Sequence, residues 1–491
     1  MILKYDLLEE PWIPIMKFNE ERKSVGILEL FKNANEMAGI DADNAMNEYG
    51  IIRFLDTFLM AAFLPKNVED IQNILEEEIF DMKVINSYIE TCKREGVSFD
   101  IFDKTKPFLQ AKPDVRWDNE SDIKSVANLD YTLPSGNNAV HFNHTFETDV
   151  SVKPDRAAVL LLSAQTFCTA GVQGYPSNVN GAPPMFFIPQ GRNLFETLVY
   201  SMIPVPEAEC AGKNELWRNN IEIEPLRQIT KVPLLSGMFF PARRIRLIEE
   251  KGMVRRTYLQ QGMNYIGYDA WTDPHVAYRF SDKGRSSFKP SLDRELWRDI
   301  GTISDHFEQQ APEVVKQYQF ILSDKGENVI PFWIFGVVTS NASYLNVQRG
   351  NIKLDKRITT SFEKNASVSR AVQSAEEVEK IMFKALRALC DDQYDFRKNE
   401  IQVLAHQYYQ KMGDYFFGIF SKQLAESKTN EQEQQVCDEW EKKTKDVSIM
   451  LFESYCSVVC NSSKWYIRAE KARYQMNKML YKPQKEVKTI G

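Results

Sequence analysis

The feature that most narrows what this chain can fold into is a change of period near residue 365. From there on, apolar residues recur at three- and four-residue intervals in four successive stretches. Val378, Ile381, Met382, Ala385, Leu386 and Leu389 form one stripe, and Ile401, Leu404, Tyr408, Met412, Tyr415, Phe416 and Ile419 a second. Val436, Trp440, Val447, Leu451, Ser454 and Val458 trace a third, and Trp465, Ala469, Ala472, Met476 and Met479 a fourth. Such spacing puts one apolar face on each of four helices, and the short connections predict an antiparallel four-helix bundle over 365–491.

Residues 1–364 mix periods instead, which predicts a large irregular α+β domain with a mixed sheet. Glu10-Pro11-Trp12-Ile13-Pro14 and Val25-Gly26-Ile27-Leu28 read as a short strand pair. Apolar positions 51, 52, 55, 58, 59, 62 and 63 predict an amphipathic helix over 48–64. A second helix is expected over 68–94, with Glu76-Glu77-Glu78 on its wet side, and a third over 154–170, ending at Gly171. Met185–Ile188, Gly237–Phe240, Arg244–Ile248 and Trp333–Val338 read as strands. Two stretches fit no regular element: the polar segment 107–154 and the Gly-, Asn- and Ser-rich segment 171–181. Long irregular connections in a compact domain usually carry function, so the first is expected to be a binding loop, while the second reads either as a phosphate-cradling glycine loop or as a flexible surface turn.

Composition narrows the classes further. A chain of 491 residues with 43% hydrophobic and 26% charged residues has ample core, which excludes a disordered chain or a small stapled scaffold. Acidic residues and Pro11 interrupt the start where a signal peptide needs an apolar run, and no stretch approaches 18 apolar residues; a cytoplasmic protein without membrane contact is expected. The seven cysteines form no CxxC pair and read as reduced core residues. The net charge of −7 conceals an asymmetry, because residues 1–100 carry −10 and the remainder +3. A body of that charge tolerates local contact with nucleic acid.

No Walker loop, dinucleotide fingerprint, HExxH, GxSxG or kinase set occurs. Of five histidines, only His141 and His144, followed by Glu147 and Asp149, suggest a metal-dependent enzyme, but positions three apart in extended backbone face opposite sides, which favours a loop pinned by histidine hydrogen bonds. Two basic clusters stand out: Arg243, Arg244, Arg246, Lys251, Arg255 and Arg256, then eight cations in 464–488 interleaved with Trp465, Tyr466 and Tyr474. Either suits phosphate neutralisation, and either can be a solvated face.

Four motifs occur in an order that resembles one family. Tyr5-Asp6-Leu7-Leu8-Glu9-Glu10-Pro11-Trp12-Ile13-Pro14, Pro107-Phe108-Leu109-Gln110, the loop from Ser135-Gly136-Asn137-Asn138 to Phe142-Asn143-His144, and Arg192-Asn193-Leu194-Phe195-Glu196-Thr197-Leu198 are similar to segments of the CasA family, the large subunits of the type I-E CRISPR surveillance complex Cascade. The resemblance spans the chain. It implies a non-catalytic protein without cofactor or metal that inspects double-stranded DNA for the protospacer-adjacent motif (PAM), helps open the duplex for the guide RNA, and docks a separate nuclease–helicase. By the same resemblance, Asn137, Asn138, Phe142 and His144 are contacts to guide RNA or a neighbouring subunit. Gly171, Gly174, Asn178 and Gly181 belong to a loop approaching the PAM. Lys283, with Arg285 as a substitute, corresponds to a lysine finger, and Ser340 with Asn341 to the wedge that parts the first base pairs. A purely structural scaffold subunit is the other reading.

Overall fold

The computed structural model describes residues 4–115, 118–133, 150–170, 175–218, 226–269, 271–292, 294–303, 309–340 and 343–482. It has the α+β composition expected and divides into two compact units, Met1–Leu292 with Asp305–Ile352, and Asp293–Ser304 with Lys353–Gly491.

The first unit opens on an antiparallel sheet of β1 (Ile13–Lys17) between β2 (Arg22–Val25) and, beyond helix α1 (Ile27–Asn33), β3 (Met37–Ile40). The expected second strand stops at Val25, because Gly26 packs so closely on the Leu8 and Glu9 carbonyls that a Cβ there would lie 2.7 Å from the Leu8 oxygen. Trp12 fills the core beneath this corner and donates from Nε1 to the Leu7 carbonyl at 2.9 Å.

Helix α2 (Ala45–Phe63) is capped by Asn44, whose side chain accepts from the Asn47 amide. The helix is buried as its apolar spacing implies, and polar positions are buried with it, every residue from Met46 to Ala61 included. The expected helix over 68–94 is two helices, α3 (Val68–Glu76) and α4 (Met82–Arg94). Glu78 adopts a left-handed backbone at φ 58° and Asp81 caps the new helix at the Lys83 amide, so the chain restarts instead of continuing.

Strand β4 (Ile123–Ser125) precedes α5 (Pro154–Thr166), which has proline in its first turn and ends short of the predicted residue 170. Next come β5 (Phe186–Pro189), α6 (Leu194–Ser201) with Asn193 capping the Glu196 amide, α7 (Glu207–Cys210) and β6 (Arg227–Gln228). The run 237–240 is not a strand: Pro233 starts the one-turn helix α8 (Leu234–Met238), and Gly237 closes it on the Pro233 carbonyl.

Strands β7 (Arg243–Glu250) and β8 (Met253–Gln261) form a hairpin whose turn residues, Lys251 and Gly252, both have positive φ, as a twisted two-residue turn requires. Strand β4 extends this sheet at β8, while β9 (Tyr265–Ile266) pairs with β6. A second hairpin, β10 (Tyr278–Ser281) with β11 (Gly284–Ser287), adds β12 (Gln309–Gln310) at its other edge. Helix α9 (Glu313–Asp324) leads into the long strands β13 (Val329–Ser340) and β14 (Ser343–Asp355), ordered β14-β13-β5. Helix α2 packs on α5, α6, α8 and β13, which is why no side of it stays wet.

The helical unit contains α10 (Lys356–Thr360), α11 (Phe362–Cys390), α12 (Tyr394–Tyr415), α13 (Ser421–Glu426), α14 (Asn430–Val459) and α15 (Ser463–Leu480). The four long helices carry the predicted stripes with two corrections. A π turn at Phe416–Phe420 shifts the register after α12, so Ile419 faces solvent while Phe420 and Leu424 are buried. In α14, Ser454 and Val458 are exposed, because Phe452, Tyr455, Cys456 and Val459 take the inner face. Trp297 is held within this unit among Tyr409, Phe416 and Trp440.

Candidate nucleic-acid interface

Several expected loops are rooted at the C-terminal end of α5. The Tyr344 hydroxyl, at the start of β14, donates to the Phe167 carbonyl at 3.0 Å and accepts from the Thr169 amide at 3.3 Å. Its ring stacks on Tyr131, whose hydroxyl donates to the Ala164 carbonyl at 3.1 Å. Burial raises both phenol pKa values, so both stay neutral donors. Thus residues just before 134–144, before 171–174 and at the start of β14 meet at one helix end.

Arg243 completes the mount. Its guanidinium donates to the Thr169 carbonyl at 2.9 Å and the Pro176 carbonyl at 2.6 Å, one on each side of residues 171–174. Its backbone exchanges two hydrogen bonds with the Gln165 amide group. The sequence reading of Arg243 and Arg244 as phosphate contacts is therefore corrected: each is 3% exposed, and Arg244 pairs with Asp118 at 2.6 Å. Arg246 shares Asp118, and Arg256 pairs with Glu250. Of that cluster, Lys251, Arg255 and Arg256 are exposed.

Asn178 and Gly181 form a tight turn, the Gly181 amide donating to the Asn178 carbonyl with Gly181 at φ 73°. The Asn178 side chain donates to the Thr166 carbonyl at 3.1 Å and accepts from the Asn180 amide at 2.8 Å, so it braces the loop. Asn180 then donates to Asp273 at 2.7 Å. Asp273 is buried against Arg53 of α2, with Oδ2–Nη2 at 2.6 Å and Oδ1–Nη1 at 3.2 Å. Burial pushes the Asp273 carboxyl up, but the charge and hydrogen bonds of Arg53, with Asn180, outweigh it and keep the group below the usual carboxylate range.

The same segment carries the second hairpin. The Asp273 amide donates to the Tyr278 hydroxyl at 2.8 Å, and Arg285 donates to the Trp271 carbonyl at 2.7 Å and to Thr272 while lying over the Tyr278 ring. Arg285 is a strut here. Lys283 sits in the two-residue turn between Ser281 and Gly284, exposed, its amide donating to the Ser281 hydroxyl at 3.3 Å. Among the described residues no ion pair engages its ammonium. Ser340 is exposed at the end of β13. Gly171, Gly174, Asn341, Asn137, Asn138, Phe142 and His144, with His141, lie outside the described residues.

The network around Arg53 was missed at the level of sequence, although Arg53 and Asp56 inside an apolar run signal a buried polar cluster. Tyr49 accepts from Arg53 at 2.9 Å and donates to His275 Nδ1 at 3.0 Å, while His275 Nε2 donates to the Ser201 carbonyl at 3.1 Å. Burial holds the imidazole pKa down to about 4, so His275 is neutral at neutral pH where it approaches Asp56 at 4.0 Å, and burial likewise drives the Asp56 carboxyl well up. Among the described residues no three His, Cys, Asp or Glu side chains are grouped to hold a metal, and no helix is long and apolar enough to cross a membrane.

In the last helix, Trp465 is buried, Arg468 pairs with Asp391 and Asp392, and Arg473 pairs with Glu453. Ile467, Lys471, Tyr474 and Lys478 share the outward face of α15.

Known proteins share this architecture. CasA (Cse1) of Thermus thermophilus superposes with a TM-score of 0.78 at 21% identity, covering 97% of this chain and 99% of that one. Cse1 from Acidimicrobium ferrooxidans gives 0.76 at 18% identity over 97% and 98%. A chain from a CRISPR RNA-guided surveillance complex gives 0.70 at 15% identity over 96% and 99%. In sequence, the CRISPR-associated protein CasA/Cse1 of Thermus thermophilus is 29% identical over 76% of each chain. With residues 6–451 matching its description, the chain belongs to the CRISPR-associated protein Cse1 family, also named CasA.

Proposed function

We propose that the chain is the non-catalytic large subunit of a cytoplasmic RNA-guided surveillance complex of the type I-E Cascade kind. In that role it reads the PAM in duplex DNA, assists opening for the guide RNA beside the other Cascade subunits, and docks a nuclease–helicase. Family membership supports the reading, and one observation carries it: the chain on either side of the expected glycine loop, with the residues leading into the expected guide-RNA loop and following the expected wedge, is fixed on a common buried mount built by Tyr131, Tyr344, Arg243 and the end of α5. Insertion into a groove demands such rigidity, because a mobile loop loses its ordering entropy on binding.

In this mechanism guide-RNA pairing supplies most of the sequence information, and the protein contributes brief groove contacts. Lys283, exposed on a two-residue turn and in no ion pair among the described residues, enters the acceptor-rich minor groove. The Asn178 side chain is committed to Thr166 and Asn180, so the glycine loop meets DNA through its backbone. Ser340, at the end of β13, and Asn341 act as the wedge. Asn137, Asn138, Phe142 and His144 meet the guide RNA or a neighbouring subunit. The outward Lys471 and Lys478 neutralise phosphates without reading sequence.

The test is reconstitution of the complex with and without this chain, followed by binding to duplexes that carry or lack a PAM. The reading expects PAM preference to disappear with the chain; unchanged preference overturns it.

A further inference from the structure

The break between α3 and α4 leaves a groove of about 640 Å³ in the surface of the first unit. Phe63 and Phe80 form its floor, 6.1 Å apart between ring centroids, and Ile74, Met82 and Val84 line its walls. Ile79, in the turn itself, also lines it while remaining 52% exposed. The volume falls in the range of clefts that accept a ligand or an anchoring side chain. An exposed aliphatic residue beside an open apolar cleft marks an interaction surface.

The charge around the groove decides what it takes. Glu77 and Asp81 line it, and Glu76 and Glu78 stand exposed in the same turn, against the single cation Lys83. Four carboxylates repel phosphates, so neither nucleic acid nor an anionic lipid surface is complementary. A second copy of the chain would bring the same sign to an isologous contact. What fits is a segment with apolar anchors flanked by lysine or arginine, laid down as an amphipathic helix.

We infer that this groove is a docking site for a basic amphipathic helix of a protein partner, with apolar side chains on Phe63 and Phe80 and cations on the rim Glu76–Glu78 and Asp81. The inference is independent of the DNA reading, since neither Lys283 nor the α5 mount takes part.

The experiment uses the full chain and a fluorescent synthetic peptide with leucine and lysine at helical spacing, read by anisotropy. The wild type should bind it with affinity that falls at least about tenfold between low and high salt. Ile79→Asp and the combined Glu76→Gln, Glu77→Gln, Glu78→Gln variant should each weaken binding about tenfold with unchanged melting temperature; all four positions are exposed, so folding is not at stake. Wild-type affinity in both variants overturns the inference, as does equal binding of a peptide with its leucines replaced by serine. Markedly tighter peptide binding after removal of residues 483–491 also overturns it, by assigning the groove to the chain's own lysine-bearing tail.

Discussion

Tyr131 and Tyr344 lie face to face, ring centroids 4.4 Å apart and planes 9° from parallel, and each hydroxyl donates to a carbonyl at the end of α5. Residues from three chain regions are thereby fixed at one point. Tyr344→Phe keeps the stack but leaves the Phe167 carbonyl and the Thr169 amide without this partner, a cost of about 1–3 kcal/mol. Chemical denaturation should report that loss, and PAM discrimination by the assembled complex should fall more than its affinity for DNA lacking a PAM.

The Arg53–Asp273 pair supports the glycine loop and the Lys283 hairpin from beneath, through Asn180 and Tyr278. Removing one partner strands the other charge in the core. Asp273→Ala should therefore cost about 3–5 kcal/mol, whereas a double replacement of Arg53 and Asp273 by apolar residues should cost less than the single change. A double-mutant cycle on unfolding free energies measures the difference.

His275 gives stability a pH dependence of known sign. Its pKa is lowered on folding from 6.5 to about 4 by burial, so its contribution is complete above pH 6.5 and is lost as pH falls toward 4. The stability gap between wild type and His275→Gln should therefore narrow by about 2 kcal/mol between pH 7.5 and pH 5. A constant gap would mean that the imidazole titrates normally in the folded protein.

Lys471 and Lys478 share the outward face of α15, where the neighbouring arginines are already paired with carboxylates. Replacing both lysines by alanine should weaken binding to all duplexes alike and reduce the slope of log affinity against log salt by about 2. A sequence-dependent loss would assign them a different role.

What could be read from the sequence was local and periodic. The stripes of the bundle and the β13 run follow from spacing alone. Pro107-Phe108-Leu109-Gln110 was visible as a motif, but its purpose emerges only in three dimensions: the buried Gln110 donates to the Ile101 carbonyl and accepts from the Leu247 amide, joining it to β7. The split of α3 from α4 depends on a left-handed Glu78, which no propensity favours. Arg243 looked like a phosphate contact because charge is read from sequence without burial, yet its partners are carbonyls on both sides of the glycine loop. Arg285, which the resemblance offers as a substitute for Lys283, is held by the Trp271 carbonyl and Thr272.

The central claim is that an exposed lysine on a braced hairpin takes part in reading the PAM. The most direct measurement compares reconstituted complexes carrying wild-type chain, Lys283→Ala or Lys283→Arg on duplexes that differ only in the PAM. The account predicts that Lys283→Ala loses about 1–3 kcal/mol on PAM-containing DNA, keeps its affinity for DNA without a PAM and retains its melting temperature, with Lys283→Arg partly restoring the preference. Wild-type affinity and an unaltered ranking of PAM sequences in Lys283→Ala would contradict it.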